Sequence, residues 1–206
     1  MVYAPAVEEV YPPGFATRVS VAGLTDILCG DPASRGAGHF HGVTTVVAKL
    51  LNTVEPDVAY FGQKDAQQAV VIGRMAHDLD FPTRIAVLPT IREADGLPMS
   101  SRNAYLDDEQ RRRAPALHRA LEAARAASAR DPSVAEALAS ARTVLGDAGI
   151  EPEYLEARDA AELTPISSFN GRPVLIAVAA RLGRARLIDN LIIESPPPEG
   201  AAEKGS

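Results

Sequence analysis

Tyr60-Phe61-Gly62-Gln63-Lys64-Asp65-Ala66-Gln67-Gln68 decides the fold, because an apolar strand pattern stops at Gly62 and a helical pattern takes over at Asp65. Val58 to Phe61 reads as a short strand, the residues from about Ala66 to Leu79 as a helix, and Thr83 to Val87 as a second strand. A strand-helix-strand unit crosses over right-handed into a parallel sheet. In open α/β sheets ligands sit outside the carboxyl ends of the strands, where a helix N-terminus offers free N–H groups to an anion. Gly62 lets the backbone come close, Lys64 brings a mobile cation, Asp65 suits an N-cap and Gln68 points back from the first helical turn. An ordinary turn with a surface lysine and a capping aspartate uses the same residues equally well.

Working back toward the N-terminus, Val43, Val46, Val47, Leu50, Leu51 and Val54 recur at helical spacing, and Glu55-Pro56 ends that helix. The glycine-rich loop Gly30 to Gly38 carries Arg35 and leads into His39-Phe40-His41-Gly42. Leu24 to Cys29 suits one helical turn or two, Thr17 to Val21 alternates like a short strand, and Glu8 to Phe15 is a loop by its breakers. Met1 to Ala4 reads as a strand already under way.

Beyond Val87, Pro89-Thr90-Ile91 looks like a hinge, after which the pattern changes. A helix is expected from about Asp108 to Ala129, then another opened by Asp131-Pro132 and closed by Gly146 and Gly149. Strands follow at Tyr154 to Ala157, Val174 to Ala179 and Arg186 to Ile193. The expected class is α/β: a partial Rossmann-like parallel sheet, then a small α+β domain with an antiparallel sheet. The boundaries are 1–90 for the second half of a nucleotide-binding domain, 91–194 for the α+β domain and 195–206 for a disordered tail.

Composition narrows the function. With 27 acidic against 21 basic residues, a net charge of −6 leaves no basic footprint for nucleic acid or anionic lipid. Arg111-Arg112-Arg113 reads as a solvated helix face. A single cysteine, Cys29, makes no internal disulfide and suits a reducing cytoplasm. The apolar run Val174 to Ala180 is too short to span a bilayer, and Met1 to Pro5 has no features of a secretion signal.

The second polar cluster is Arg92-Glu93-Ala94-Asp95-Gly96-Leu97-Pro98-Met99-Ser100-Ser101-Arg102-Asn103. Two hydroxyls, a guanidinium and an amide within four residues suit a phosphate, whose oxygens take hydrogen bonds while arginine grips two of them. They also suit a solvated interdomain loop whose serines cap the next helix. His39 and His41 have no further ligand cluster for a metal, and His77 and His118 sit in helix patterns as surface residues.

Phe61 to Gln68, Pro89 to Asn103 (PTIREADGLPMSSRN), Gly38 to Leu50 (GHFHGVTTVVAKL) and Arg186 to Asn190 (RLIDN) together resemble the pantoate–β-alanine ligases. The likeness runs from about Val2 to Glu194 and implies a HUP, or nucleotidylyl transferase, type of Rossmann-like domain. It further implies that ATP and pantoate form a pantoyl adenylate and pyrophosphate, and that β-alanine then displaces AMP to give pantothenate. By resemblance Gly62, Gln63, Lys64 and Asp65 meet ATP, with Ile91 near the adenine. Met99, Ser100, Ser101 and Arg102 close over the phosphates. Gln68, Val46, Val47 and Arg35 serve pantoate, and His39 matches an active-site histidine. Lys64, Ser100, Ser101, Arg102 and His39 are the catalytic candidates. Mg2+ is expected with ATP, held by phosphates and waters without a dedicated protein site. Members of this family are typically homodimers.

The family's strand-to-helix signature of P-T-M-G-A-L-H-x-G-H type and its second pantoate-binding glutamine are not in this sequence. The first half of the nucleotide-binding domain is therefore expected to be missing, with ATP–pyrophosphate exchange impaired. A catalytically incomplete subunit or nucleotide-binding module is the alternative reading. Ser34-Arg35-Gly36-Ala37-Gly38-His39 has one residue more than the family's arginine-to-histidine run, and Pro98 replaces a small residue. The central expectation is spatial: Lys64 and Arg102 meet around one triphosphate at the junction of the two domains.

Overall fold

Val58–Gly62 (β1) and Arg84–Leu88 (β2) form a parallel pair, with Val58 opposite Arg84 and Gly62 opposite Leu88. This is seen in a computed structural model that describes residues 2–31 and 36–194. The chain divides into two compact units, Met1–Gly62 with Gln67–Leu88, and Gln63–Ala66 with Pro89–Ser206.

Among the described residues the first unit holds β1, β2 and the helices α1 (Val7–Val10), α2 (Ala37–Val54) and α3 (Ala66–Asp78). The helix α2 forms as the periodicity predicts, but the side it buries is Phe40, Thr44, Ala48 and Leu51; of the six residues expected to form its apolar face only Leu51 is buried, and Leu50 and Val54 are exposed. It stops at Glu55, whose left-handed φ of 47° closes the last turn before Pro56. Within α3, Val71, Ile72 and Met75 are almost wholly buried.

Two expected strands in this unit are absent. Val2 to Ala6 is irregular, and Val2 is 88% exposed. Thr17 to Val21 does alternate, yet its backbone bonds go to side chains instead of a neighbouring strand. The Val19 N–H donates to Thr45 Oγ1 at 3.0 Å, and its carbonyl accepts from Thr44 Oγ1 at 2.6 Å. Two hydroxyls on α2 thus satisfy the groups that a sheet ladder would otherwise take up. Leu24 to Cys29 ends in a single 3-10 turn, Leu28–Gly30.

In the second unit Pro152–Asp159 (β3), Val174–Leu182 (β4) and Ala185–Ile193 (β5) form an antiparallel sheet in the order β3-β4-β5. Here α4 is Asp108–Arg113, α5 Ala116–Ser128 and α6 Val134–Asp147. Helix α5 packs on β4, β5 and α6, and α6 also packs on β3, which makes two layers around a core of Leu117, Leu121, Leu145, Ile176 and Val178.

The single helix expected from Asp108 to Ala129 is two, since Pro115 has no N–H to continue α4 and begins the next turn instead. Ser133, not Asp131, caps α6 by accepting the Glu136 N–H, while Asp131 accepts the N–H of Ser133. Residues 195–206 lie outside the described part of the chain.

Candidate functional site

The Lys64 segment is a 3-10 turn, Gln63–Asp65, that packs on β5. Its anchor is Asn190, a buried residue of β5. Both successive carbonyls of the turn, Gln63 O and Lys64 O, accept from Asn190 Nδ2 at 2.9 Å, while Gln63 Nε2 donates to Asn190 Oδ1 at 2.9 Å. Lys64 is half-buried and Asp65 is exposed. Gly62, at the end of β1, has no positive φ, and a Cβ built there meets nothing within 4 Å. Neither its backbone nor its packing requires glycine.

The second polar cluster is a tight hairpin. Arg92 bridges Pro98, the Met99 N–H donates to Ile91 O at 2.9 Å, and the Glu93 N–H donates to Leu97 O at 2.8 Å. Gly96 makes the turn with φ +90°, and a Cβ there would lie 2.4 Å from the His118 ring. Three groups fasten this hairpin. Arg92 forms two bonds to Asp189 of β5, at 2.7 and 2.9 Å, and a third to Gly96 O. Arg111 of α4 reaches Asp95 at 2.5 Å and Glu93 at 2.6 Å, and Asn103 Nδ2 donates to Glu93 and to Pro98 O.

The electrostatics follow from these contacts. Burial pushes the Asp189 carboxyl above the ordinary carboxylate value, and the two Arg92 bonds offset part of that rise. The hydrogen bond from Arg111 holds the Asp95 carboxyl below its usual value, and Asp95 and Glu93 in turn raise Arg111. His118, expected at the surface, is half-buried instead, with Nδ1 3.9 Å from Asp189.

The hairpin delivers the chain to Ser100, which caps the 3-10 turn Ser101–Tyr105 by accepting the Arg102 N–H at 3.2 Å. This turn also packs on β5. Lys64, Ser100, Asn103 and Arg186 line a crevice of about 10 Å³ whose other walls are apolar, among them Leu97, Leu117 and Ile188; Lys64 and Ser100 meet there, and Arg102 is not part of its lining. Arg102 is half-buried, Ser101 is exposed, and Met99 and Ile91 present 58% and 67% of their surface. Large apolar side chains left so open are free to take a flat ring or cover a ligand.

The remaining candidates lie in the first unit. His39 sits in the opening turn of α2 with its ring edge-on to Phe40 at 5.2 Å, and Val46 and Val47 are on the same helix farther along. Gln68 is half-buried on α3. Arg35 lies outside the described residues. The buried glutamine is its neighbour Gln67, which donates to Leu24 O and Ile27 O and accepts from the Cys29 N–H. Gln67, Asp189 and Asn190 were given no role by sequence reasoning. Among the described residues no three His, Cys, Asp or Glu side chains group as metal ligands, and no helix is long and apolar enough to cross a membrane.

Comparison with known proteins settles the family. The family described as Pantoate-beta-alanine ligase matches residues 1–192. The chain belongs to the pantoate–β-alanine ligase family. A pantothenate synthetase from Moorella thermoacetica is 53% identical over 197 residues, covering 94% of this chain and 68% of that protein. One from Rhizorhabdus wittichii is 51% identical, covering 96% and 69%. The crystal structure of the Thermus thermophilus enzyme superposes with a TM-score of 0.85 at 47% identity, over 95% of this chain and 69% of that one. A pantoate–β-alanine ligase from Francisella tularensis, complexed with β,γ-ATP and β-alanine, matches with a TM-score of 0.65 at 29% identity, over 90% and 61%. This chain is a ligase of that family, with an α/β fold, and spans about 68% of the length of the Moorella relative.

Proposed function

We propose that the chain binds ATP through Gly62, Gln63, Lys64, Asp65, Ile91 and Met99 to Arg102, and activates pantoate as an acyl adenylate that β-alanine then captures. The carboxylate of pantoate attacks the α-phosphorus, the bond to pyrophosphate breaks, and the amine of β-alanine later displaces AMP. Such a displacement needs positioned cations and hydrogen-bond donors more than it needs a base. The observation that supports this reading is that the Lys64 turn and the turn opened by Ser100 both pack on β5, with Lys64 and Ser100 lining one narrow crevice there. Lys64 neutralises phosphate charge as it develops, Ser100 and Ser101 donate hydroxyls, and Arg102 grips the departing pyrophosphate.

Gln68, Val46, Val47 and Arg35 are assigned to pantoate, and His39 is kept as a catalytic candidate. Mg2+ arrives with the nucleotide. The donors on the two turns, the Lys64 ammonium, the Ser100 and Ser101 hydroxyls and the Arg102 guanidinium, suit phosphate oxygens and leave the cation to phosphates and water. We assign the protein to the cytoplasm, as a homodimer, with residues 1–90 serving as the nucleotide-binding domain and 91–194 as the α+β domain.

Pantoate-dependent ATP–pyrophosphate exchange tests the reading. In an enzyme completed with the family's first nucleotide-binding half, Lys64→Ala should lower the exchange rate about tenfold or more, which is what a single transition-state charge contact is worth. Exchange at the wild-type rate would remove Lys64 from the site. A catalytically incomplete, nucleotide-binding relative would bind ATP and show no exchange at all.

A further inference from the structure

β5 places two adjacent buried residues, Asp189 and Asn190, against the two segments assigned above to ATP, and neither is part of that assignment. Asp189 takes Arg92, 97 residues away in sequence, and so fixes the hairpin that leads into Ser100 to Arg102. Asn190 takes the backbone of Gln63 and Lys64, 127 and 126 residues away. Both anchors sit on a strand that is itself locked to β4 by a nine-residue antiparallel register. Successive strand residues stand about 3.4 Å apart, so the two segments are held at a fixed separation by the pitch of one strand.

The Asn190 amide has a demanding task. It is only 4% exposed, its nitrogen donates to two successive carbonyls, and its oxygen accepts from the Gln63 side chain. Among side chains of this length only the planar amide both donates twice and accepts, and its isostere aspartate cannot donate when ionised. Because these bonds hold the backbone of Lys64 and leave its side chain free to line the crevice with Ser100, they set where the ammonium starts from.

We propose that Asn190 is a positioning residue for adenylate formation, aiming Lys64 at the phosphates through the carbonyls of Gln63 and Lys64, while Asp189 registers the serine loop to the same strand. This rests on the assignment of Lys64 to ATP and is tested separately from it.

The test is a double-mutant cycle on the full chain, reading ATP affinity by calorimetry with Asn190→Ala, Lys64→Ala and the pair. Asn190→Asp, which keeps the size and the Gln63 acceptor, serves as a second variant should the alanine fail to fold. Either Asn190 variant should weaken ATP about tenfold, as expected for loss of buried hydrogen bonds to a charged group's anchor. The double variant should bind no more than about twofold worse than the weaker single, since both changes remove one interaction. Amide exchange should quicken at residues 63–66 while β3 and β4 keep their protection. Fully additive losses, or exchange that quickens across the whole sheet, would make Asn190 a purely structural residue and overturn the proposal. An unchanged ATP affinity in Lys64→Ala alone would instead remove the ATP assignment on which it stands.

Discussion

The two sheets of this molecule are finished to different degrees. In β4 eight of nine residues are buried, Arg181 being the exception, and helices α5 and α6 cover the face of its sheet. In β1 and β2 no residue is buried, and Tyr60, Val87 and Leu88 present 63%, 45% and 49% of their surface. Parallel sheets are ordinarily covered on both faces, whereas an antiparallel sheet is stable with one face packed. The difference teaches where stability resides. The second unit closes its own core, and the segments assigned to ATP are fastened to that closed part by Asp189, Asn190 and Arg111. The first unit holds its loops by isolated polar bonds such as those of Thr44, Thr45 and Gln67.

The largest expected effect strikes the closed side. Arg92→Ala leaves the wholly buried Asp189 carboxylate without its partner, and breaking a buried pair in this way costs about 3–5 kcal/mol. Urea denaturation should show that loss, and a loss below about 1 kcal/mol would mean the hairpin is held without the pair.

An intermediate effect is expected on the open side. Thr44 is fully buried, and its hydroxyl donates to Val19 O with Phe40 O also in range, so Thr44→Val keeps the shape and leaves the Val19 carbonyl unsatisfied. The cost should be about 1–3 kcal/mol. It should appear as faster amide exchange around residues 17–21, with the second unit unaffected. Equal loosening of β3 to β5 would show that the two regions do not differ as described.

The smallest effect concerns pH. Since Arg111 lowers the Asp95 pKa, the bond stabilises the folded hairpin above the unfolded carboxylate value, and that contribution fades as pH falls through the lowered value. Asp95→Asn should therefore flatten the acid limb of thermal melts while leaving neutral pH nearly unchanged, because this pair is largely exposed. Asp189 has the opposite sign: with a raised pKa, its contribution fades as pH rises. An acid limb of unaltered steepness in Asp95→Asn would separate the hairpin from that carboxylate.

Much of the fold was legible because its signals are local. The change of period at Gly62 gave the β1-α3-β2 unit, and the apolar runs around Ile176 and Ile188 gave the antiparallel sheet. What failed was also local in origin. Alternation at Thr17 to Val21 is real, but its partners are hydroxyls of α2, which no pattern within that short stretch can announce. The alanine-rich helix pattern ran through Pro115 because composition on both sides is helical, and only the missing N–H breaks it. The serine loop and the lysine turn were visible as polar clusters. Their anchors were not, since Asp189 and Asn190 sit inside an apolar strand and find partners about a hundred residues away. Gln67 and Gln68 are indistinguishable by neighbourhood, and only packing shows that Gln67 is the one turned inward.

The most direct test of the proposed ATP site on the two turns is an amide-exchange footprint of the full chain with a non-hydrolysable ATP analogue. Slowed exchange at residues 62–66 and 98–103 together, with β3 and α6 unchanged, is the predicted result. Protection of one segment without the other, or of neither, would contradict it.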